Sequence, residues 1–334
     1  MSGEIAYLAF TERGRALAER LRAALGGEVS CTRCGASLDG WTAERFSRAR
    51  ALVYVGAAGI AVRAIAPHLR SKATDPAVVC VDERGRYAIP LASGHLGGAN
   101  ALAREIARVL GAEAVITTAT DVNGVFAVDE WAKAQNCAIP DPRGIKGVSA
   151  RLLDGTPITV RAAFPVDGEP PEGVTLREDG EADVRVDVRA HDEGLALVPR
   201  VLVLGVGCRR GTTAESLETR FAAFCRARGV WREAVCLAAT IDLKKNENGL
   251  LAFCAAQGWP LRFYSAGELA EAGGEFTASA FVASVTGVDN VCERSAVLAA
   301  GAGGSLLIRK DAGDGISFAL AQKAVRLDWS WQNG

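Results

Sequence analysis

The stretch PLASGHLGGANALAREIARVLG, residues 90–111, holds a strand end, a glycine-rich loop and a helix in direct succession. His95, one of only three histidines in the chain, stands in that loop. Apolar residues after it follow the i, i+4, i+7, i+8 spacing of one helix face: Leu102, Ile106, Val109 and Leu110. Gly111 is placed to end the helix. A glycine loop between a strand and a helix is typical of a layered α/β domain.

The same order of elements repeats through the first 130 residues. IAYLAF (5–10) and ALVYVG (51–56) are buried-type strands, each followed by a helical pattern. AVVCVDERGRYAIPL (77–91) predicts two strands around a turn at Gly85. AEAVITTATD (112–121) predicts one more strand that runs into a polar loop. Strands that alternate with helices favour a largely parallel sheet.

A second α/β region begins at VLVLG (201–205). Thr212 with Glu215, and Ser265 with Glu268, have the spacing of capping boxes. The segment before it is turn-rich, charged and broken by short β-like runs. We predict an α/β fold of two three-layer α/β/α domains joined by a small β-rich middle segment. The expected boundaries are 1–138 for the N-terminal domain, 139–198 for the variable middle and 199–334 for the C-terminal domain.

Composition excludes several classes of function. Among 334 residues, 38 Lys and Arg oppose 39 Asp and Glu, and like charges do not gather in blocks. We therefore expect neither a nucleic-acid nor a membrane partner. The start MSGEIAYLAF lacks the basic region of a signal peptide, and no run of 18 apolar residues occurs. Together these features predict a cytoplasmic protein.

Nine scattered cysteines fit a reducing compartment better than a disulfide framework. Cys31 and Cys34 form a lone CxxC, and neither His68 nor His95 stands at zinc-finger spacing. Because a structural zinc site needs four ligands, we expect two reduced thiols near a turn at Gly35 and no metal site in the protein.

Three strand–glycine–helix junctions could bind anions through free N–H groups and the helix dipole: Gly56–Gly59, Gly94–Gly98 and Gly205–Gly211. The plainer interpretation is a tight turn that needs positive φ. GVGCRRG has the spacing GxGxxxG, one residue too long for a dinucleotide fingerprint, and no P-loop lysine follows it. Arg209 and Arg210 suit carboxylates or phosphates, unless they simply face water.

His95 is the sharpest candidate for acid–base chemistry near neutral pH. The helix after it should return antiparallel to the strand that leads to Thr117. His95 and Asp121 could then meet at one edge of the sheet; alternatively, Asp121 only caps the next turn. Farther on, Asp289 and Glu293 stand four residues apart beside Arg294, and their ordinary interpretation is a cap with a surface ion pair.

A family resemblance rests on VRAIAP (62–67), LASGHLGGAN (91–100), TTATDVNG (117–124), LGVGCRRGT (204–212) and SVTGVDNVCERSAVLAAG (284–301). These stretches, with FYSAGEL near the C-terminal end, closely resemble the cobalt-precorrin-5A hydrolases (CbiG) of anaerobic cobalamin biosynthesis. The resemblance covers most of the chain, and the middle adds little to it.

The resemblance implies a reaction. Family members open a δ-lactone on a cobalt-bound tetrapyrrole with water and expel acetaldehyde, which gives cobalt-precorrin-5B. The substrate carries the cobalt, so no cofactor is expected. His95 would be the base and Asp121 its orienting partner. Other roles for His95 remain open: axial cobalt ligation, or a structural contact only.

The expected substrate-binding set takes its members from the glycine junctions, the polar strand ends and the C-terminal helix starts. Its residues are Gly59, Arg63, Ser93, Gly94, Gly97, Gly98, Asn100, Thr117, Thr118, Gly207, Cys208, Arg209, Arg210, Thr212, Thr213, Ser265, Glu268, Asp289 and Glu293. Two rival functions are a non-catalytic tetrapyrrole carrier and a sugar-phosphate or nucleotide enzyme. A homodimer and product hand-over to other enzymes of the cobalamin pathway are left open.

Overall fold

A computed structural model describes residues 4–71, 74–95 and 97–331, and of Phe281 only the backbone. The chain forms two compact units. The first holds the described residues up to Trp131, with Leu152–Gly155 and Trp331. The second holds Ala132–Arg151 and Thr156–Ser330.

The first unit is built from short strands and helices in alternation. Its elements are β1 (Ile5–Ala9), α1 (Glu12–Leu25), β2 (Glu28–Cys31), α2 (Leu38–Phe46), β3 (Ala51–Val55), α3 (Ala58–Ile65), β4 (Ala77–Val81), β5 (Tyr87–Ala92), α4 (Ala99–Leu110), β6 (Glu113–Ala114), α5 (Ala119–Asn123) and the start of α6 (Val128–Ala134). Both ends of α1 are capped: the Thr11 hydroxyl accepts the Gly14 N–H, and Gly26 stops the helix.

Its sheet has the order β2-β1-β3-β4-β5-β6. All neighbouring strands run parallel except β4 and β5, which run antiparallel. Val78, near the start of β4, pairs with Ala92 at the end of β5. The loop that follows β5 therefore leaves the sheet at the edge where β3 and β4 begin, and this placement decides where His95 lies.

Helices cover both faces of this sheet. Alternate residues of β1 point to opposite sides: Tyr7 and Ala9 pack in a core with residues of α1 and α4, whereas Ala6 and Leu8 pack with α2 and α3. Strands with both faces buried read as continuous apolar runs, as β1, β3 and β4 do. The first unit is therefore a three-layer α/β/α structure.

The strand predicted over 112–121 is mostly absent. Pairing is limited to Glu113 and Ala114, at the outer edge of the sheet where only β5 is available as a partner. Thr118 then takes an extended conformation before the short helix α5. The apolar run AVIT predicted a longer strand, but the ladder with β5 ends at Ala114, after which the Val115 N–H still donates to the Ala88 carbonyl.

The second unit contains the remaining elements. They are β7 (Cys137–Ala138), α7 (Gly144–Leu153, whose last two residues belong to the first unit), β8 (Ile158–Ala162), β9 (Val166–Asp167), β10 (Val174–Arg177), β11 (Val184–Val186), β12 (Leu195–Pro199), β13 (Leu202–Cys208), α8 (Ala214–Arg228), β14 (Val235–Ile241), α9 (Asn248–Gln257), β15 (Leu261–Tyr264), α10 (Ala266–Ala270), α11 (Ala280–Thr286), α12 (Cys292–Ala300), β16 (Ser305–Gly313), β17 (Ile316–Gln322) and β18 (Leu327–Asp328).

Two five-stranded sheets lie in the second unit. The order of the middle sheet is β10-β8-β11-β12-β7, and that of the C-terminal sheet is β15-β14-β13-β17-β16. In the C-terminal sheet, β13, β14 and β15 are parallel, while β16 and β17 form an antiparallel hairpin. Helix α12 packs on one face, where a Cβ on Gly205 would lie 1.7 Å from the Cys292 carbonyl oxygen. Phe221 of α8 and Phe253 of α9 pack on the other face with Phe318.

These layers confirm the predicted α/β class, with two helix-covered sheets and a β-rich middle. One predicted cap is wrong. Helix α8 is capped by Thr213, which accepts the Ser216 N–H, and not by Thr212 with Glu215. The Thr212 hydroxyl instead donates to the Arg209 carbonyl, because the chain is still turning there and the helix begins two residues later. The box of Ser265 and Glu268 forms as predicted.

Candidate active site

The loop 93–98 connects β5 to α4 and turns sharply. Ser93 adopts φ +57, in the left-handed region that L-residues rarely occupy. Its carbonyl accepts the Ala99 N–H, and the Gly94 carbonyl accepts the Asn100 N–H. Gly97 must lack a side chain, since a Cβ there would lie 2.2 Å from the Ser93 Cβ. This packing fixes the backbone on either side of His95.

Two carboxylates hold the His95 ring. Its Nε2 lies 2.8 Å from Oδ2 of Asp121, and its Nδ1 lies 3.2 Å from Oδ1 of Asp129. Glu130 adds a carboxylate oxygen 3.7 Å from Nε2, and the Thr120 hydroxyl lies 3.3 Å from the same atom. All four groups come from α5 and the first turn of α6, within the first unit.

Asp121 is itself anchored. Arg104, in the second turn of α4, donates a hydrogen bond to Oδ1 of Asp121. The Asn100 amide donates to Oδ2 at 3.1 Å and to the Thr118 hydroxyl at 2.9 Å. The loop, α4 and α5 are therefore joined through one carboxylate. The alternative that Asp121 acts only as a cap does not describe this arrangement.

Charge around His95 determines its protonation. Burial alone would lower its pKa, but the hydrogen bonds and negative charges of Asp129, Asp121 and Glu130 outweigh burial and raise it to about 9. Burial would raise the pKa of Asp121, yet His95 and Arg104 keep it below its ordinary value. Burial raises the pKa of Glu130. At neutral pH the ring is thus an imidazolium that donates from both nitrogens.

This state bears on the roles considered for His95. An imidazolium is an acid and a hydrogen-bond donor, and only about one ring in 100 is neutral two units below its pKa. A ring with both nitrogens engaged by carboxylates also has no free lone pair for a cobalt ion. Glu130 is the better base, because its raised pKa strengthens its affinity for a proton.

A metal ion is a further option that the geometry allows. His95, Asp121 and Glu130 each offer a ligand atom, and these atoms lie within 4.8 Å of one another. The imidazolium proton and the Arg104 guanidinium already balance these carboxylates. A cation would have to displace that proton first.

Other predicted residues of the first unit divide between two edges of the sheet. Ser93, Gly94, Gly97, Gly98, Asn100, Thr117 and Thr118 lie on the loop, helix start and strand end near His95. Gly59 and Arg63 follow β3, whose carboxyl end lies at the opposite edge, about 16 Å away along a five-residue strand. The antiparallel β4–β5 pair causes this separation.

The side-chain hydroxyl of Ser93 has an unusual environment. The residue is 8 % exposed, and its Oγ is buried without a hydrogen-bond partner among the described residues. Buried hydroxyls usually have one.

In the second unit, predicted residues gather where parallel strands end. Loop 207–213 follows β13 and carries the exposed Arg209 and Arg210. The Gly211 N–H donates to the Glu247 carboxylate, which also pairs with Lys244 at 3.3 Å. The loops after β13 and β14 thus meet at one edge.

Several residues near these sites were not predicted from the sequence: Arg104, Asp129, Glu130, Lys244 and Lys245. The signals were present, since Lys244 and Lys245 lie in the turn that follows β14 and Asp129 and Glu130 lie in the first turn of α6.

Four predicted residues of the second unit make structural contacts within it. Glu268 caps α10 with Ser265, and Asp289 pairs with Arg294 at 2.9 Å. Glu293 is fully buried and not part of a surface ion pair, which corrects that expectation. Its carboxylate accepts the N–H and hydroxyl of Thr277 and the N–H of Lys310. Because the loop before α11 covers it, Glu293 holds that loop in place.

Comparison with known proteins identifies the family. Three models match in chain order: cobalamin synthesis G N-terminal over residues 40–121, cobalamin biosynthesis central region over 126–204 and cobalamin synthesis G C-terminus over 202–321. The fold and matches define a mixed α/β protein with a role in cobalamin biosynthesis.

Two relatives make the family specific. The chain is 35 % identical to cobalt-precorrin-5A hydrolase of Salmonella typhimurium, over 74 % of this chain and 75 % of that one. It is 33 % identical to cobalt-precorrin-5A hydrolase of Priestia megaterium, over 82 % and 79 %. The chain belongs to the cobalt-precorrin-5A hydrolase (CbiG) family.

A solved structure of a cobalamin biosynthesis protein G homolog from Sulfolobus solfataricus is 21 % identical to this chain, with a TM-score of 0.41. The match covers 96 % of this chain and 97 % of that one.

Among the described residues, every helix is too short or too polar to cross a lipid bilayer.

Proposed function

We propose that this chain is a cobalt-precorrin-5A hydrolase of anaerobic cobalamin biosynthesis. It would open the δ-lactone of cobalt-precorrin-5A with water and release acetaldehyde to give cobalt-precorrin-5B. Family membership supports the reaction, and one observation carries the site: the largely buried His95 ring lies between Asp121 and Asp129 with Glu130 alongside. The substrate carries the cobalt, so the proposal assigns no cofactor to the protein.

Lactone opening makes specific demands on the chain. Water must lose a proton as it attacks the lactone carbonyl carbon, and the departing alkoxide must gain one as the ring C–O bond breaks. Glu130 is the proposed base for water. His95 is the proposed acid, because it carries a proton at neutral pH. Asp121 and Asp129 position the ring and stabilise its charge.

Release of acetaldehyde is a retro-aldol step on the opened product. The new hydroxyl loses its proton, its carbon becomes the aldehyde carbon, and the C–C bond electrons pass to the electron-poor macrocycle, which is then protonated. The group that protonated the alkoxide is suited to take that proton back, since after the first step His95 is a neutral base.

Each unit offers candidate substrate contacts of its own. A macrocycle with several acetate and propionate groups needs cations, and the loop after β13 with Lys244 offers them within the second unit. Gly94, Gly97 and Gly98 offer backbone without side chains in the loop that carries His95. The partner is thus the cobalt tetrapyrrole; a homodimer and hand-over of the product stay within the proposal as open points.

The decisive experiment incubates purified protein with cobalt-precorrin-5A without oxygen. Acetaldehyde is measured by coupled NADH oxidation, and the tetrapyrrole by mass spectrometry. We expect one acetaldehyde for each lactone opened, and almost none from His95→Ala. Binding without acetaldehyde from the wild-type chain would show a carrier instead. A thermal-shift response to nucleotides but not to the tetrapyrrole would favour the nucleotide alternative.

A further inference from the structure

Cys31 and Cys34 occupy a tight turn at the end of β2. A single 3-10 turn spans Thr32–Cys34, and Gly35 then reverses the chain at φ +99. The Gly35 N–H bonds to the Thr32 carbonyl, and the Ala36 N–H bonds to the Cys31 carbonyl, each at 3.2 Å. This geometry turns both thiols to one side.

Glu12 brings a third ligand to the thiols. It lies in the first turn of α1, directly after β1, and β1 pairs parallel with β2. The start of α1 and the end of β2 therefore share one edge of the sheet. A carboxylate oxygen of Glu12 and the two Sγ atoms all lie within 4.8 Å of one another.

These separations suit a small tetrahedral cation. With Zn–S bonds of about 2.3 Å and a Zn–O bond of about 2.0–2.2 Å, ligand atoms of one site lie roughly 3.5–3.8 Å apart. The present limit of 4.8 Å on the separation of the three ligand atoms is only slightly larger. Small side-chain rotations would therefore bring the three atoms around one ion. Cys34 and Glu12 are exposed, so the ion has a path of entry.

The surroundings supply space and charge. A cavity of about 340 Å³, lined in part by Val29, Ser30 and both cysteines, adjoins the site and leaves room for a water ligand. Arg15 pairs with Oε2 of Glu12 at 2.8 Å. Two thiolates and one carboxylate carry three negative charges, which a divalent cation and the Arg15 guanidinium together neutralise.

We propose that Cys31, Cys34 and Glu12 bind a thiophilic divalent cation, represented by Zn²⁺, and leave a fourth position open to water. The sequence-based expectation of two reduced thiols without a metal considered only the two cysteines. Glu12 is distant from them in sequence and is brought near them by the pairing of β1 with β2. The site lies at the opposite sheet edge from the loop after β5 and before residue 40, where the family match begins. It is therefore independent of the proposed hydrolase reaction.

The test measures Zn²⁺ binding to reduced, full-length protein by competition with a chromogenic chelator, and Co²⁺ binding by the thiolate-to-cobalt charge-transfer band. We expect one equivalent, with release of thiol protons. Cys34→Ser should weaken Zn²⁺ binding by about 100-fold and lower the intensity of the charge-transfer band, because Cys31 is then the one remaining thiolate of the proposed site. Glu12→Gln should weaken binding about 10-fold, in the range seen when supporting groups of a site are lost.

The matched control is Cys236→Ser, a partly buried thiol elsewhere in the chain that donates to the Leu202 carbonyl. Its Zn²⁺ affinity should equal that of the wild type. Circular dichroism checks folding of each variant, and Cys34 is chosen over the buried Cys31 because its replacement leaves the core intact. No Zn²⁺ uptake by the reduced protein, or equal affinity in Cys34→Ser or Glu12→Gln, would overturn the proposal.

Discussion

The Nε2 atom of His95 lies 2.8 Å from Oδ2 of Asp121, and the two residues come from separate elements at one edge of the first sheet. Asp129 holds the other ring nitrogen. A ring fixed between two carboxylates keeps its proton well above neutral pH. The first predictions concern that proton.

Replacing His95 with Gln should lower the rate of acetaldehyde release about 10²–10⁴-fold, which is the usual contribution of a general acid or base. Glutamine keeps some hydrogen bonding but cannot transfer a proton. Steady-state assays of acetaldehyde, with bound tetrapyrrole measured separately, check this. Glu113→Gln changes an exposed carboxylate on β6 and serves as the control. Unchanged turnover in His95→Gln would remove the residue from the reaction.

The pH profile distinguishes acid from base. If His95 donates a proton in the first step, activity should fall as pH rises through about 9, where the ring loses its proton. If His95 is the base, activity should instead rise toward that pH. The acidic limb should reflect Glu130 and lie above the ordinary range of a carboxyl, because burial raises the pKa of Glu130. Initial rates from pH 5 to 10 provide the measurement.

Asp121→Asn should move the alkaline limb of that profile to lower pH. The change removes a negative charge from Nε2 but keeps the size of the side chain, so the pKa of His95 must fall. We expect about a 10- to 100-fold loss of rate at pH 7 as well. A profile with its limb unmoved would show that Asp121 does not set the protonation of the ring.

Stability of the first unit should depend on the same proton. The pKa of His95 is raised from 6.5 to about 9 in the folded state, so its stabilising contribution is complete below about pH 6.5. That contribution is lost as pH rises through 9. Once solvent screening is allowed for, it amounts to about 2 kcal/mol. Urea unfolding at pH 6 and pH 9.5 measures the difference, and His95→Gln should reduce it.

Gly97→Ala should destabilise the chain, because the new Cβ would lie 2.2 Å from the Ser93 Cβ. Ser93→Gly should stabilise it by about 1 kcal/mol, since glycine tolerates φ +57 without strain. The double variant should recover much of the stability lost in Gly97→Ala. Thermal unfolding of the three variants forms the cycle. Additive effects would show that the two residues do not collide.

Arg209→Ala and Lys244→Ala should raise KM for the tetrapyrrole and leave kcat within a few-fold. Each removes a cation from the edge formed by the loops after β13 and β14. The loss should shrink at high salt, as screening weakens the wild-type attraction too. Arg143→Ala, which removes an exposed arginine paired with Asp141 in the loop before α7, is the control. Equal KM values in all three variants would make these cations surface residues.

The local pattern alone predicts much of the architecture. Apolar spacing places α4, and Gly111 ends it; the Thr11 and Ser265 caps form as their spacing indicates. These features depend on contacts within a few residues, which the sequence shows directly. The meeting of His95 with Asp121 also follows from a simple strand–helix–strand return. The strand predicted to run from 112 into a polar loop forms only over Glu113–Ala114, because pairing depends on neighbours that local sequence does not reveal.

Sequence by itself therefore determined the α/β class, most helix ends, the family and the choice of His95 as the residue to test. Tertiary structure decided the rest. It placed Asp129 and Glu130 against the His95 ring and buried Glu293 under a loop. It also set Gly59 and Arg63 at the sheet edge opposite His95. It also brought Glu12 to the two thiols. The reason is physical: spacing along a chain fixes local hydrogen bonds, whereas the direction of β5 and the order of strands fix which distant charges meet.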